Sequence, residues 1–211
     1  MAAGAREPGS RSVAVTALVL VAGLLILVLS ALPVDRARVS DVEVDAFRAV
    51  NDGPDVPFAL VWLPMQAGNV LAPAVAASAA LAVRRPRLAA ALVACGLAAW
   101  VLGKVVKQFV ERGRPDALVE DVVLRGAAAQ GLGFVSGHVA VIVAVAVVTW
   151  PYLGRGGRTA VSLLAALVAL LRVYVGAHLP LDVVGGAGLG LAAGSAVALV
   201  AGRPRRRADD R

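Results

Sequence analysis

The chain contains two histidines, and each lies in a short polar cluster inside otherwise apolar sequence. His138 ends the run Gly133-Phe134-Val135-Ser136-Gly137-His138, and His178 stands six positions after Arg172 and four before Asp182. A third cluster, Lys107 through Arg114-Pro115, precedes both. Fixed cations, a Ser-Gly-His turn and an Arg/His/Asp set are the parts of phosphoryl transfer without a metal. Cations hold the phosphate oxygens, one imidazole attacks phosphorus and another moves a proton.

Each cluster also has a plainer reading. Lys104, Lys107, Arg112 and Arg114 gather near one expected helix end; any one of them can snorkel to an interface, but four together call for an anionic partner. Phosphate suits them, with arginine offering a planar fork and lysine a point charge. Ser136 reads as a helix N-cap, and the same helix start, with the small Gly137 beside it, suits an anion. His138 in the first turn is left unexplained by capping, and a histidine there can protonate a leaving oxygen at neutral pH. His178 and Asp182 make either a structural hydrogen bond or an oriented nucleophile, with the carboxylate holding one ring nitrogen while the other attacks phosphorus. Pro180 is expected to end or bend the segment between them. Two histidines and one carboxylate without an acidic cluster are a poor magnesium or two-metal site, so no metal and no cofactor is expected.

The elements that position these clusters are membrane helices. The chain is 59% hydrophobic and 17% charged, with a mean hydropathy of +0.80, far more apolar than a soluble domain. Apolar runs long enough to cross roughly 30 Å of hydrocarbon are expected at 12–32, 58–83, 88–106, 136–153, 159–175 and 181–201, an all-α, six-helix bundle forming one membrane-embedded domain over 1–211. The first run could instead be a cleaved signal peptide, but its length favours a retained span. Arginines in the leader (Arg6, Arg11), at Arg84 to Arg87, at Arg155 to Arg158 and in the tail from Arg203 alternate with the remaining loops. The positive-inside tendency therefore puts both termini in the cytoplasm and all three polar clusters on the outer face of the cell membrane. The formal charge of +7 is this topology signal, without the aromatic pattern of a nucleic-acid surface, so no nucleic acid is expected as a partner.

Smaller features complete the outline. Between Asp35 and Pro57, Val39, Val42, Phe47 and Val50 recur at near-helical spacing, which predicts a helix on the outer interface ended by Asn51-Asp52-Gly53-Pro54. Gln66 and Asn69 inside the second run are expected to make interhelical hydrogen bonds. Gly186, Gly190 and Gly194 predict close helix approach. Trp62, Trp100, Trp150 and Tyr152 read as interfacial anchors. Cys95, the single cysteine, is expected only to pack.

Lys107 with six residues before Arg114-Pro115, then Ser136-Gly137-His138, then Arg172, His178 and Asp182 with five and three residues between them, resembles the three-part signature of the type 2 phosphatidic acid phosphatase family, related to vanadium haloperoxidases. The chain departs from that pattern at Val135, where the family usually has Pro, and at Leu171, where it usually has Ser. The resemblance implies that Lys107, Arg114 and Arg172 hold the phosphate oxygens with help from Ser136 and the Gly137 N–H. His178 would form a phosphohistidine, Asp182 would orient it, and His138 would protonate the departing alcohol and then activate water. The implied substrate is a lipid phosphate among membrane lipids, such as undecaprenyl pyrophosphate, phosphatidic acid or phosphatidylglycerol phosphate. The rival is a lipid-binding or transport protein without catalysis, which a complete set of His138, His178 and Asp182 disfavours.

Overall fold

A computed structural model describes residues 8–126 and 130–202. The leader Arg6 and the arginines from 203 onward, which entered the topology argument, lie outside them. Among the described residues every regular element is helical: α1 (Pro8–Ala31), α2 (Asp41–Asn51), α3 (Phe58–Met65), α4 (Ala72–Ala82), α5 (Pro86–Val110), α6 (Pro115–Leu118), α7 (Gly137–Thr149), α8 (Arg155–Tyr174) and α9 (Pro180–Ala201). Short 3-10 turns follow α3 (Gln66–Gly68) and α7 (Trp150–Tyr152).

The ends of these helices follow from the sequence. Ser40 caps α2, its hydroxyl accepting from the Glu43 N–H at 3.4 Å. Proline opens α5, α6 and α9, where its missing N–H costs nothing. Glycine meets the need for close approach along α9: a Cβ on Gly186, Gly190 or Gly194 would stand 2.6, 2.5 or 2.8 Å from the carbonyl oxygens of Ser136, Ala140 or Ala144. The expected stripe therefore seats α9 directly on the α7 backbone. On its other side α9 runs antiparallel to α1, and α5 completes the packing around it. The main core joins Leu92, Cys95 and Ala99 of α5, Ala140 and Ala144 of α7, Leu189 and Ala193 of α9, and the loop residues Phe134 and Val135. Cys95 packs there as expected.

The exterior is apolar. Over Ser12–Ala31 of α1 the mean hydropathy is 2.9 with only 11% of the span buried, and Leu18, Leu25 and Leu29 are all more than half exposed. Such a surface belongs in hydrocarbon, not water. Four of the described helices are long and apolar enough to cross a membrane.

Three expectations change. The run 58–83 is not one straight span: α3 and α4 meet at a 69° bend, and they make a fifth crossing only if counted together. Pro64 inside α3, Gly68 in the turn, extended Asn69 and Pro73 in the first turn of α4 break the hydrogen-bond ladder in quick succession. The run 136–153 becomes the shorter α7 of 13 residues and its 3-10 turn. Gln66 and Asn69 bond within their own segment rather than between helices: Asn69 Nδ2 donates to Gln66 Oε1 at 3.2 Å and Gln66 Nε2 to the Trp62 carbonyl at 3.2 Å. They satisfy the polar groups exposed by the break.

The helix expected on the interface forms as α2, but it is docked inward. Val42 is 80% exposed, whereas Phe47, Asn51 and Glu43 are buried. Asn51 donates to the carbonyls of Val123 and Tyr174, both at 2.9 Å, and accepts from the Val123 N–H.

Candidate active site

The C-terminal ends of α5 and α8 and the N-terminal ends of α7 and α9 meet at one end of the bundle, and each carries a part of the polar clusters. Lys107 sits in the last turn of α5, where its Nζ donates to the carbonyls of Leu132 at 2.7 Å and Gly133 at 3.0 Å. Arg114 precedes Pro115, the first residue of α6. Its Nε donates to the Gly131 carbonyl at 3.2 Å, Nη2 to that of Gln130 at 3.0 Å and Nη1 to that of Ala177 at 2.7 Å. These two cations stitch the loop before Ser136 to the segment that carries His178.

Ser136 holds the N-cap position of α7 without capping it: its hydroxyl makes no bond to the helix. The side chain is fully buried and Oγ has no hydrogen-bond partner, an unmet demand that ordinarily costs stability. Beside it a Cβ on Gly137 would meet nothing within 4 Å. A buried free hydroxyl next to open space at a helix N-terminus has the form of an anion cradle. The Ser136 N–H donates to the Asp182 carbonyl at 2.8 Å, tying this turn to α9. His138 follows in the first turn, within reach of the charges on Arg172 and Arg114.

Arg172 lies in the last turn of α8, and its carbonyl accepts from the N–H groups of Ala177 at 3.2 Å and His178 at 3.1 Å. That reversal passes through Gly176, whose φ of 73° is readily adopted only by glycine. The nearest partner of Arg172 Nη1 is the Met65 thioether at 3.9 Å, and its buried Nε has none. Leu171 packs among Val61, Met65 and Tyr174, so the hydrogen bond a serine there could offer is replaced by apolar contact.

His178 is 2% exposed. Its Nε2 is 3.3 Å from Arg114 Nη1, and because a guanidinium only donates, Nε2 presents its lone pair. The proton is thereby assigned to Nδ1, which stands 3.4 Å from Asp182 Oδ2 in an orientation short of a good hydrogen bond. Burial, reinforced by the charges of Arg172 and Arg114 and only partly opposed by Asp182, pushes the His178 pKa down to about 3. The ring is neutral and able to act as a nucleophile at neutral pH. Asp182 is fully buried; Oδ2 also accepts from the Leu179 N–H at 3.0 Å and Oδ1 from Arg112 Nη1 at 3.1 Å.

Lys107, Arg114, Ser136, Gly137, His138, Arg172, His178 and Asp182 thus come together from the ends of α5, α7, α8 and α9 and the loops beside them. Two cations of the expected basic cluster are engaged by partners within the protein. Lys104 lies with Nζ 3.8 Å from the centre of the Trp100 ring, and Arg112 is buried in ion pairs with Glu43 and Asp182. Arg112 has its anionic partner within the protein. Glu43 is the residue that the sequence reading missed; Val39, Glu43, Phe47 and Asn51 recur at four-residue spacing, so an acid on the inward stripe of α2 was the available signal. Among the described residues no group of three or more His, Cys, Asp or Glu gathers where it could hold a metal ion.

Known proteins share the fold. The backbone is similar to the crystal structure of Aquifex aeolicus LpxE, with a TM-score of 0.66 and 26% identity over 75% of this chain and 95% of that one. It is also similar in fold to the first transmembrane PAP2 type phosphatidylglycerolphosphate phosphatase from Bacillus subtilis, with a TM-score of 0.64 and 21% identity over 84% of this chain and 93% of that one. No curated protein sequence matches the chain. Residues 87–206, which contain all three polar clusters, match the PAP2 superfamily, and the chain belongs to that family as a membrane phosphatase, a phosphoric ester hydrolase.

Proposed function

We propose that this chain hydrolyses the phosphomonoester or pyrophosphate of a membrane lipid through a phosphohistidine on His178. The observation that carries the reading is the set of donors without acceptors: Ser136 Oγ and Arg172 Nε are buried and unpartnered. A phosphoryl group supplies the missing acceptors, and its transition state spreads charge over the equatorial oxygens that such donors would hold. In the first step His178 Nε2 bonds to phosphorus, the bond from phosphorus to the leaving oxygen breaks, and protonated His138 gives that oxygen its proton. In the second, His138 takes a proton from water, the water oxygen bonds to phosphorus, and the P–N bond breaks to release inorganic phosphate. No metal is called for, because Lys107, Arg114 and Arg172 supply the positive charge.

The bundle end that holds these groups is opposite the arginines at 84–87 and 155–158. We read it as the outer boundary of a cell membrane protein that crosses six times, counting the α3–α4 pair and the shorter α7 with the four long helices, with both termini cytoplasmic. A lipid can keep its tails in the bilayer there while its head group reaches the cations. An outward-facing phosphatase can also recycle a carrier lipid released outside, which puts undecaprenyl pyrophosphate first among candidates. The test is phosphate release by the purified protein in detergent from undecaprenyl pyrophosphate, phosphatidic acid, phosphatidylglycerol phosphate and a soluble phosphomonoester at matched concentration, with and without a chelator. Lipid substrates are expected to lead on kcat/KM, undecaprenyl pyrophosphate first, with no loss on chelation. A lead for the soluble ester overturns the lipid reading, and an absolute magnesium requirement overturns the metal-free one.

A further inference from the structure

Arg112 is the largest fully buried side chain among the described residues, and a buried guanidinium must be compensated. It is compensated twice. Nη1 and Nη2 donate to the two oxygens of Glu43, at 3.0 and 2.5 Å, and Nη1 also donates to Asp182 Oδ1 at 3.1 Å. Glu43 Oε1 further accepts from the Leu181 N–H at 2.9 Å, one residue before Asp182. A helix outside the three-part signature thus reaches the carboxylate that faces His178 by two routes, through a cation and through the α9 backbone.

Formal charges show what Glu43 adds. Glu43 and Asp182 carry one negative charge each and Arg112 one positive, so the buried trio has one net negative charge beside His178. Without Glu43 the guanidinium would neutralise Asp182 alone, and no net negative charge would face the ring. Phosphorylation at Nε2 turns the imidazole into a cation, which is the moment that charge matters. We infer that Glu43, acting through Arg112, is a positioning residue that keeps Asp182 aimed at His178 and leaves the buried trio with a net negative charge facing the ring. The inference rests on His178 being the nucleophile.

The experiment compares Glu43→Gln, Arg112→Lys, Asn51→Ala and His178→Ala in detergent, using the lipid phosphate that the parent hydrolyses best. Asn51 docks the same helix about two turns beyond Glu43 and bonds to Val123 and Tyr174, so Asn51→Ala should lower the melting temperature and leave kcat near the parent's. Glu43→Gln should lower kcat by roughly 10- to 100-fold, the range that a supporting partner of an active group controls, with KM within about twofold because no phosphate donor is touched. If Glu43→Gln does not fold, Arg112→Lys carries the test. It keeps a buried cation for Glu43 but loses the fork that bridges to Asp182, and the same fall in kcat at unchanged KM is expected. A parental kcat in either folded variant, or an equal loss in Asn51→Ala, overturns the role of Glu43. Activity in His178→Ala overturns the nucleophile instead, so the two failures are distinguishable.

Discussion

His178 is held neutral by its surroundings, and that has a thermodynamic signature. Its folded pKa of about 3 lies below the ordinary value of 6.5, so between those pH values the unfolded chain binds a proton that the folded chain refuses. Stability rises with pH wherever the unfolded state binds more protons; this contribution is therefore lost progressively as pH falls from about 6.5 to about 3. His178→Asn, which cannot titrate, is expected to flatten the fall in melting temperature across that window; a slope identical to the parent's would show that His178 is not held neutral. Side-chain types and spacing made most of this site legible beforehand, because Lys107, Arg114, Ser136, Gly137, His138, Arg172, His178 and Asp182 are polar interruptions of apolar sequence. Arg112 was less legible for the same reason: grouped with Lys104, Lys107 and Arg114 it suggests an external anion, whereas its partners in space are Glu43 and Asp182. Those neighbours lie 69 and 70 residues away in sequence, a separation that motif reading does not span.

The broken segment between α3 and α4 does more than cross the bundle. A Cβ on Gly68 would stand 2.6 Å from the His138 carbonyl oxygen and 2.9 Å from its Cβ, so the turn presses on the first turn of α7 where the expected proton donor sits. Only hydrogen fits there. Gly68→Ala forces backbone to move, at the roughly 1–3 kcal/mol typical of overpacking, and the movement falls on His138. The expected outcome is a lower melting temperature together with a fall in kcat that is steepest for poor leaving groups, which depend most on proton donation. A loss uniform across leaving groups would mean that Gly68 only packs. Hydropathy hid this element, since Pro64, Gly68 and Pro73 are themselves compatible with an apolar run and 58–83 reads as continuous. The regular spans were legible because their periodicity and their ends coincide: α9 opens at Pro180, beside the expected boundary, and its glycine stripe fixes its partner. A break inside a membrane run is set by which polar backbone groups find partners, as Gln66 and Asn69 do here, and hydropathy is blind to that.

At the scale of the whole molecule the unpaired question is which way the bundle faces. The polar end holds Lys107, Arg114, Arg172 and both histidines, while Arg84, Arg85, Arg87, Arg155 and Arg158 lie at the opposite helix ends. Both ends are basic, so total charge does not decide. The distinction is between cations that have work inside the protein and cations that do not. Lys107 and Arg114 are committed to carbonyls of the site, whereas Arg84 and Arg87 are exposed at the start of α5 and free to follow the positive-inside tendency. Discounting the committed cations strengthens the assignment of the 84–87 loop to the cytoplasm. The experiment is simple because Cys95 is the one cysteine and is 0% exposed, giving little background with a membrane-impermeant thiol reagent. Asp121, exposed in the loop at the polar end, should label in intact cells as Asp121→Cys. Arg87→Cys should label only after the membrane is permeabilised. The reverse pattern would turn the bundle over and put the phosphatase site on the cytoplasmic face, where a carrier lipid released outside the cell would not reach it.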